Sequence, residues 1–259
     1  MSQQWPLKRL GLRVRDLSAS IAYYERLGFT LVRDEREAKS VGLGVGTQEI
    51  LTLRHVPEAR PRPRHTAGLF HFAILLPNEA ELGTFLRYGL EDKVRIDGAS
   101  DHQVSQALYL SDPEGNGIEV YADRPRAEWP MNDGKPTMDT LPLKAEALLE
   151  KAHAFHGFPA GTILGHMHLN VGNLERSLAF YEETVGLELM LNFYKQANFV
   201  SWDGYHHHLG LNTWTGPNAS RHEADVSGLD FFEIARPGLP SGTYQDPDGV
   251  TVIVSQPEI

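Results

Sequence analysis

The sequence contains no cysteine. That excludes a disulfide framework, a thiolate nucleophile and a thiolate metal site, so any metal must be held by His, Asp or Glu, donors that favour harder ions. A continuous apolar run long enough to span a bilayer, about 18 residues, is also missing, and the start MSQQWPLKRL lacks the apolar centre of a signal peptide. No membrane partner is therefore expected, and the expected location is the cytoplasm. Long basic runs are absent too, and the formal charge of -10 repels a phosphate backbone, so nucleic acid is not an expected partner. What remains is 259 residues, 41% apolar and 22% charged, enough to bury a core in one large domain or two ordinary ones.

The chain repeats itself. LKRLGLRVRDLSASIAYYERLGF from Leu7 and LGHMHLNVGNLERSLAFYEETVGLEL from Leu164 both read strand, turn, helix. In each, Asp16 or Asn173 precedes a helical stretch carrying an aromatic pair (Tyr23 and Tyr24, Phe180 and Tyr181), and Gly28 or Gly186 stops it. Strands follow, ending at EILTLRH and HHHLGLNTW. A second pair is weaker: GLFHFAILLPNEAELGTFL followed by LYLSDPEGNGIEVYADRP corresponds to GLDFFEIARPG followed by TYQDPDGVTVIVSQ, with no helix between Pro237 and Tyr244. Four modules result, at 7–58, 66–124, 161–216 and 226–257. The expected organisation is a first domain over 1–124, a connection over 125–160 in which LPLKAEALLEKAHAF reads as a helix, and a second domain over 161–259.

Strand alternation sorts side chains by face. His166, His168 and Asn170 share one face of their strand, and Glu119 lies opposite the packed Ile118 and Val120. In YHHHLGLN, alternation puts His207 with the apolar Leu209 and Leu211 and leaves His206, His208, Gly210 and Asn212 on the polar face. Several features have plain structural readings. His55, His65, His153, His156 and His222 form no constellation. Asp112, Pro113 and Gly115 suit a tight hairpin, and the aromatic pairs suit helix-to-sheet packing.

The segment HQVSQALYLSDPEGNGIE, from His102 to Glu119, resembles the extradiol dioxygenase signature: His, an apolar residue and Tyr (Leu108 and Tyr109), Asp-Pro-x-Gly (Asp112, Pro113, Gly115) and a closing Glu (Glu119). Ser100 departs from the usual Gly, Asn, Thr or aliphatic residue, at a position outside the chemistry. Together with the repeat, this is similar to the vicinal-oxygen-chelate superfamily of glyoxalases, bleomycin-resistance proteins and extradiol dioxygenases along nearly the whole chain. The resemblance implies an α+β fold of four βαβββ modules forming two paired, partly closed curved sheets around a cavity. It further implies a metal held by His71, His166 and Glu119, an acid–base histidine at His208, and hydrogen-bonding groups at His102 and Tyr109. His206 and His168 share the face of His208 and stay open as alternatives for its role.

That ligand set pairs module two with module three. Module one has Arg9 and Gly11 where a ligand would stand, and module four has Phe231 and Ile253. The implied function is iron(II)-dependent extradiol cleavage of a catechol by dioxygen, giving a 2-hydroxymuconate-semialdehyde-type product, with manganese(II) satisfying the same donors. The implied partners are a small aromatic diol and dioxygen, with a homo-oligomer compatible. A glyoxalase-type lyase and a non-enzymatic drug-binding protein are the competing readings: the first calls for a second carboxylate, the second for no metal and half the length. Phe199, Trp202, Asn212 and Trp214 are expected to line the pocket.

Overall fold

In the computed structural model, which describes residues 5–91 and 93–257, the modules unfold in the order the repeat implies. Module one is β1 (Leu7–Val14), α1 (Leu17–Leu27), β2 (Thr30–Glu35), β3 (Ser40–Val45) and β4 (Gln48–His55). Module two is β5 (Gly68–Leu76), α2 (Glu79–Leu90), β6 (Gly98–Asp101), β7 (Ser105–Ser111) and β8 (Gly117–Asp123). A small hairpin, β9 (Met131–Asn132) with β10 (Lys135–Pro136), and α3 (Ala145–Leu149) lie in the connection. Module three is β11 (Ile163–Asn170), α4 (Leu174–Glu183), β12 (Glu188–Phe193), β13 (Ala197–Ser201) and β14 (Leu209–Asn212). Module four is β15 (Gly228–Ala235), β16 (Gly242–Gln245) and β17 (Thr251–Ser255), and it lacks a helix. No described helix is long and apolar enough to cross a membrane.

The helices begin where the sequence offers a side-chain acceptor to unpaired amides. Asp16 accepts from the Ala19 amide, Asn78 from those of Ala80 and Glu81, and Asn173 from that of Arg176. Gly28 ends α1 at φ 126°, a conformation a side chain would strain. The helix expected in the connection is only five residues long. Its later carbonyls, of Leu149 and Ala152, are taken by the Arg87 guanidinium of α2, and Gly83 of α2 lets the Leu148 carbonyl come so close that a Cβ there would lie 2.1 Å from it. Tertiary donation to these carbonyls replaces further helical turns.

Two large sheets form, and each joins a module from the first half of the chain to one from the second. One runs β16–β17–β15–β1–β4–β3–β2, joining modules four and one; the other runs β12–β13–β14–β11–β5–β8–β7–β6, joining modules three and two. This is the pairing that the positions of His71, Glu119 and His166 require. Within each module the first and last strands are parallel neighbours, and the modules meet through antiparallel first strands, β1 with β15 and β5 with β11. One continuous apolar core includes Leu10 and Leu12 of β1, Phe72 and Ile74 of β5, Leu169 of β11 and Phe232 of β15. Each such side chain, once buried, contributes about 1.5–3 kcal/mol.

The aromatic pairs do more than pack. Tyr24 of α1 donates to Asp112 Oδ2 at 2.8 Å, and Tyr181 of α4 donates to Asp246 Oδ2 at 3.0 Å, so each helix clasps the Asp-Pro turn of the next module. Both carboxylates also accept backbone amides of their own turns. Burial pushes the Asp246 carboxyl up to about 6 despite these donors, and raises Asp112 for the same reason. Replacing Tyr24 by Phe strands a buried acceptor, and a loss of about 1–3 kcal/mol is expected in urea unfolding. Tyr23→Phe, whose hydroxyl meets the exposed Ser111 carbonyl, should lose less. Equal losses would show that the clasp contributes nothing.

Candidate metal centre

The site lies on the concave face of the sheet shared by modules two and three, and two β-bulges aim its side chains. Opposite Ile74 and Ala73 of β5, β11 carries one extra residue between Leu164 and His166; opposite His168 and Leu169 of β11, β5 carries one extra residue between Leu69 and His71. These extra residues are Gly165 and Phe70. A bulge sends two successive residues to the same side of the sheet, so Phe70 and His71 both border the cavity while Leu69 and Phe72 stay in the core. Gly165 has to be glycine: a Cβ there would lie 2.1 Å from the Tyr121 hydroxyl.

His71, Glu119 and His166 converge there, buried, with their ligand atoms within 4.8 Å of one another. The Nε2 atoms of His71 and His166 lie 3.0 and 3.2 Å from the same Glu119 Oε2. His71 Nε2 is nonetheless buried with no hydrogen-bond partner. Donors at about 2.1 Å from one ion and at right angles are themselves about 3 Å apart, so the separation of each imidazole from Glu119 fits neighbouring positions around one ion. Burial lowers the His166 pKa to about 4, against the pull of Glu119. Burial also opposes ionisation of Glu119, but the two imidazoles outweigh it and hold the carboxyl well below its usual range. Two imidazoles and a carboxylate could thus hold a divalent iron or manganese ion, and burying that carboxylate without a cation would be costly.

The wall around the triad is mostly aromatic and imidazole. His168 stacks on His71 at 4.6 Å and 9°, in space left by Gly210, where a Cβ would lie 1.9 Å from its Nε2. His102 Nδ1 is 2.8 Å from the Asp139 carbonyl and its Nε2 is 2.6 Å from the Tyr109 hydroxyl. A carbonyl can only accept, so Nδ1 carries the proton of the neutral ring and Tyr109 donates to Nε2. Burial raises the Tyr109 pKa well above its usual value, which keeps that proton in place. Phe199 and Trp214 line the cavity as expected. Trp202 and Asn212 do not: the Trp202 indole donates to the Val185 carbonyl, and Asn212 is fully buried with its amide oxygen on the Trp214 amide.

The histidine run is arranged differently from the alternation reading. His208 lies outside the cavity lining, with Nδ1 2.8 Å from the Ser201 hydroxyl and its ring against Trp5, Trp202 and Tyr205. His207 borders the cavity instead, its ring 4.1 Å from that of His166. The physical reason is local: a turn with positive φ at Asp203 and Gly204 precedes the run, and regular strand begins only at Leu209, so the two-residue period does not extend back to His206–His208. Behind His207 sit His206 and a carboxylate, Asp123, that no local pattern singles out. His206 Nε2 is 2.9 Å from Asp123 Oδ1, and its Nδ1 is 2.7 Å from His207 Nδ1. Because the carboxylate accepts, His206 carries its proton on Nε2, and His207 donates from Nδ1. His207 Nε2 is left as a lone pair with no partner among the described residues. Burial, and then His166, hold the His207 pKa well below the usual value.

The other sheet has the same scaffold without the site. At the positions of His166, His71 and Glu119 stand Arg9, Phe231 and Ile253. Phe231 fills the space over Gly11, whose Cβ would lie 2.3 Å from its ring, and Arg9 sits over that ring at 5.5 Å while pairing with Glu49 and Glu233. An aromatic plug and ion pairs take the place of ligands.

These features have counterparts among known proteins. The chain is 42% identical over 233 residues to catechol-2,3-dioxygenase of Bacillus subtilis, covering 87% of this chain and 81% of that one. Among solved structures, glyoxalase I from Zea mays superposes with a TM-score of 0.60 at 17% identity, over 97% of this chain and 92% of that one. The cppA protein of Streptococcus pneumoniae gives 0.57 at 15% identity, over 97% and 100%. At such identities those two report the fold alone. The profile of one family matches residues 7–120 and 163–235, and the chain belongs to that family, the glyoxalase/bleomycin resistance protein/dioxygenase superfamily.

Proposed function

We propose that the chain is an iron(II)-dependent extradiol dioxygenase that opens a catechol ring next to its two hydroxyls, incorporating both atoms of dioxygen to give a 2-hydroxymuconate-semialdehyde-type product. The observation carrying this reading is the convergence of His71, His166 and Glu119 on a cavity that also holds the His102–Tyr109 pair and the unprotonated Nε2 of His207. The name of the Bacillus relative supports it. His71, His166 and Glu119 would hold the metal. When bound, the ion supplies a charge that acidifies a catechol hydroxyl, and open positions that bring diol and dioxygen together. Manganese(II) fits the same donors.

The chain's own groups then act on protons and orientation. His207, neutral and with its lone pair on Nε2, takes the proton of the second hydroxyl and returns it later, the role the sequence pattern had placed on His208. Asp123 and His206 fix the tautomer that leaves this lone pair available. Tyr109, whose proton goes to His102, offers its hydroxyl oxygen as an acceptor to a substrate hydroxyl, and Phe70, Phe199 and Trp214 give the ring apolar walls that displace water. A lyase of the glyoxalase type would need a second carboxylate facing Glu119, and the side chains opposite are imidazoles.

Purified chain loaded without oxygen is expected to hold one iron per chain by metal analysis and to turn catechol yellow on exposure to air. Glu119→Ala should lose the metal and keep its circular dichroism spectrum. His207→Phe should retain iron and lose on the order of a hundredfold in turnover, whereas His208→Phe should lose far less. Reversed sensitivities would return the acid–base role to His208. The metal-free chain should also be acid-sensitive. The folded His166 pKa, about 4, lies below the unfolded value of about 6.5, so its stabilising contribution is complete above pH 6.5 and fades as pH falls towards 4. Its full size is on the order of 3 kcal/mol. His166→Gln should flatten the decline in urea-unfolding free energy between those limits; an unchanged slope would refute the assignment.

A further inference from the structure

The cavity is about 900 Å³, at the upper end of the roughly 300–1,000 Å³ that serves drug-sized ligands and far more than an unsubstituted diol fills. Its lining also contains two cations that the chemistry above does not use, the exposed Arg64 and the half-buried Arg62. Arg62 belongs to the strap RPRPR at 60–64, whose prolines at 61 and 63 fix φ on either side of it. Both ends of the strap are fastened to the segment before β15. The Arg60 amide donates to the Asp225 carbonyl and the Arg60 carbonyl accepts from Ser227, while the Arg60 guanidinium pairs with Glu223 and Asp225. At the far end the His65 carbonyl accepts from Ser220, and Ala67 donates to Ser220.

Arg62 is therefore held at the cavity wall. Its Nη1 donates to the Leu69 carbonyl, the one hydrogen bond it makes among the described residues, and no described carboxylate lies within ion-pair distance of it. Most of a five-donor fork remains unused. Acids in the wall do not answer it. Glu114 is bound to Arg15 and Asp97 to Arg95, Asp139 accepts the Thr140 amide, and Glu119 faces the imidazoles. Asp112, the carboxylate that most favours its charge, is taken by Tyr24 and Asn116. Burial works against the Arg62 charge, yet a guanidinium stays protonated, so a half-buried cation faces the cavity without a counter-ion. Leu69 is two residues from His71, roughly 7 Å along the strand. Arg62 and His71 thus line the same cavity.

We infer that Arg62 binds an anionic substituent of the substrate, which makes the preferred class a catechol carrying a short carboxylate-ended side chain. This rests on the dioxygenase reading for the diol end; the anion site rests on Arg62 alone. A carboxylate would meet the fork through two parallel hydrogen bonds, a geometry that lysine does not reproduce. Phe70, Phe199 and Trp214 would hold the ring between that contact and His71.

The test compares two probes of similar size, 3,4-dihydroxyphenylacetate and 4-ethylcatechol, by anaerobic calorimetric titration of the iron-loaded chain. The acid should bind at least about tenfold more tightly, the scale of one charge-assisted pair. Arg62→Gln should abolish that difference and leave the 4-ethylcatechol affinity within about twofold, and Arg62→Lys should restore part of it. Equal affinities in the unaltered chain, or equal weakening of both probes in Arg62→Gln and Arg62→Lys, would overturn the inference. Admitting air separates it from the function proposed above. If neither probe is cleaved but the Arg62-dependent preference holds, the dioxygenase reading falls and the anion site stands. If both are cleaved with the same efficiency by unaltered and Arg62→Gln chains, the dioxygenase reading stands and the anion site falls.

Discussion

The antiparallel pairing of β5 with β11 is the constraint on which the site depends. Neither strand owns a complete set of candidate ligands: His71 comes from one, His166 from the other, and Glu119 from β8, the parallel neighbour of β5. Only in this register do the three side chains fall on one concave face, and the two bulges correct the direction in which they point. A one-residue slip would turn His166 and His168 into the apolar core, so the site and the burial of Met167 and Leu169 are selected by the same register. The candidate metal centre is thereby built from positions that packing already determines.

Around that pairing, polar groups are placed at depths where each must have a defined partner. The chain Asp123–His206–His207 and the pair Tyr121–Tyr205, with Tyr205 in turn donating to Asp123, form a back wall to His166 in which the direction of each hydrogen bond follows from the carboxylate at its end. Such a network fixes tautomers as well as positions. The imidazoles nearest the ligands are kept neutral by burial, which suits both metal ligation and proton acceptance.

The two sheets share one scaffold, and the candidate ligands stand in only one of them. Arg9, Gly11 and Phe231 close the equivalent space in the sheet of modules one and four, and the ion pairs of Arg9, Arg13, Arg33 and Arg54 with Glu49, Asp230 and Glu233 occupy its polar face. Partly buried pairs of this kind stabilise only modestly. They do satisfy the polar groups of a face that no longer needs an opening.

Sequence alone determined a large part of this protein. The fourfold repeat, the capped helices after Asp16 and Asn173, the missing helix of module four and the His-to-Glu segment are local patterns, and local patterns are readable because strand and helix periods and capping chemistry act within a few residues. Even the pairing of module two with module three was legible, because ligand-type residues occur only there. Tertiary structure decided the rest. Whether His207 or His208 meets the cavity depends on a turn at Asp203 and Gly204 that breaks the strand period just before the run. The role of Asp123 depends on a neighbour 83 residues away, and the unpaired state of Arg62 on where every acid in the wall has gone. The last two are outcomes of distant segments competing for the same space and the same charges, and no window of sequence contains both competitors.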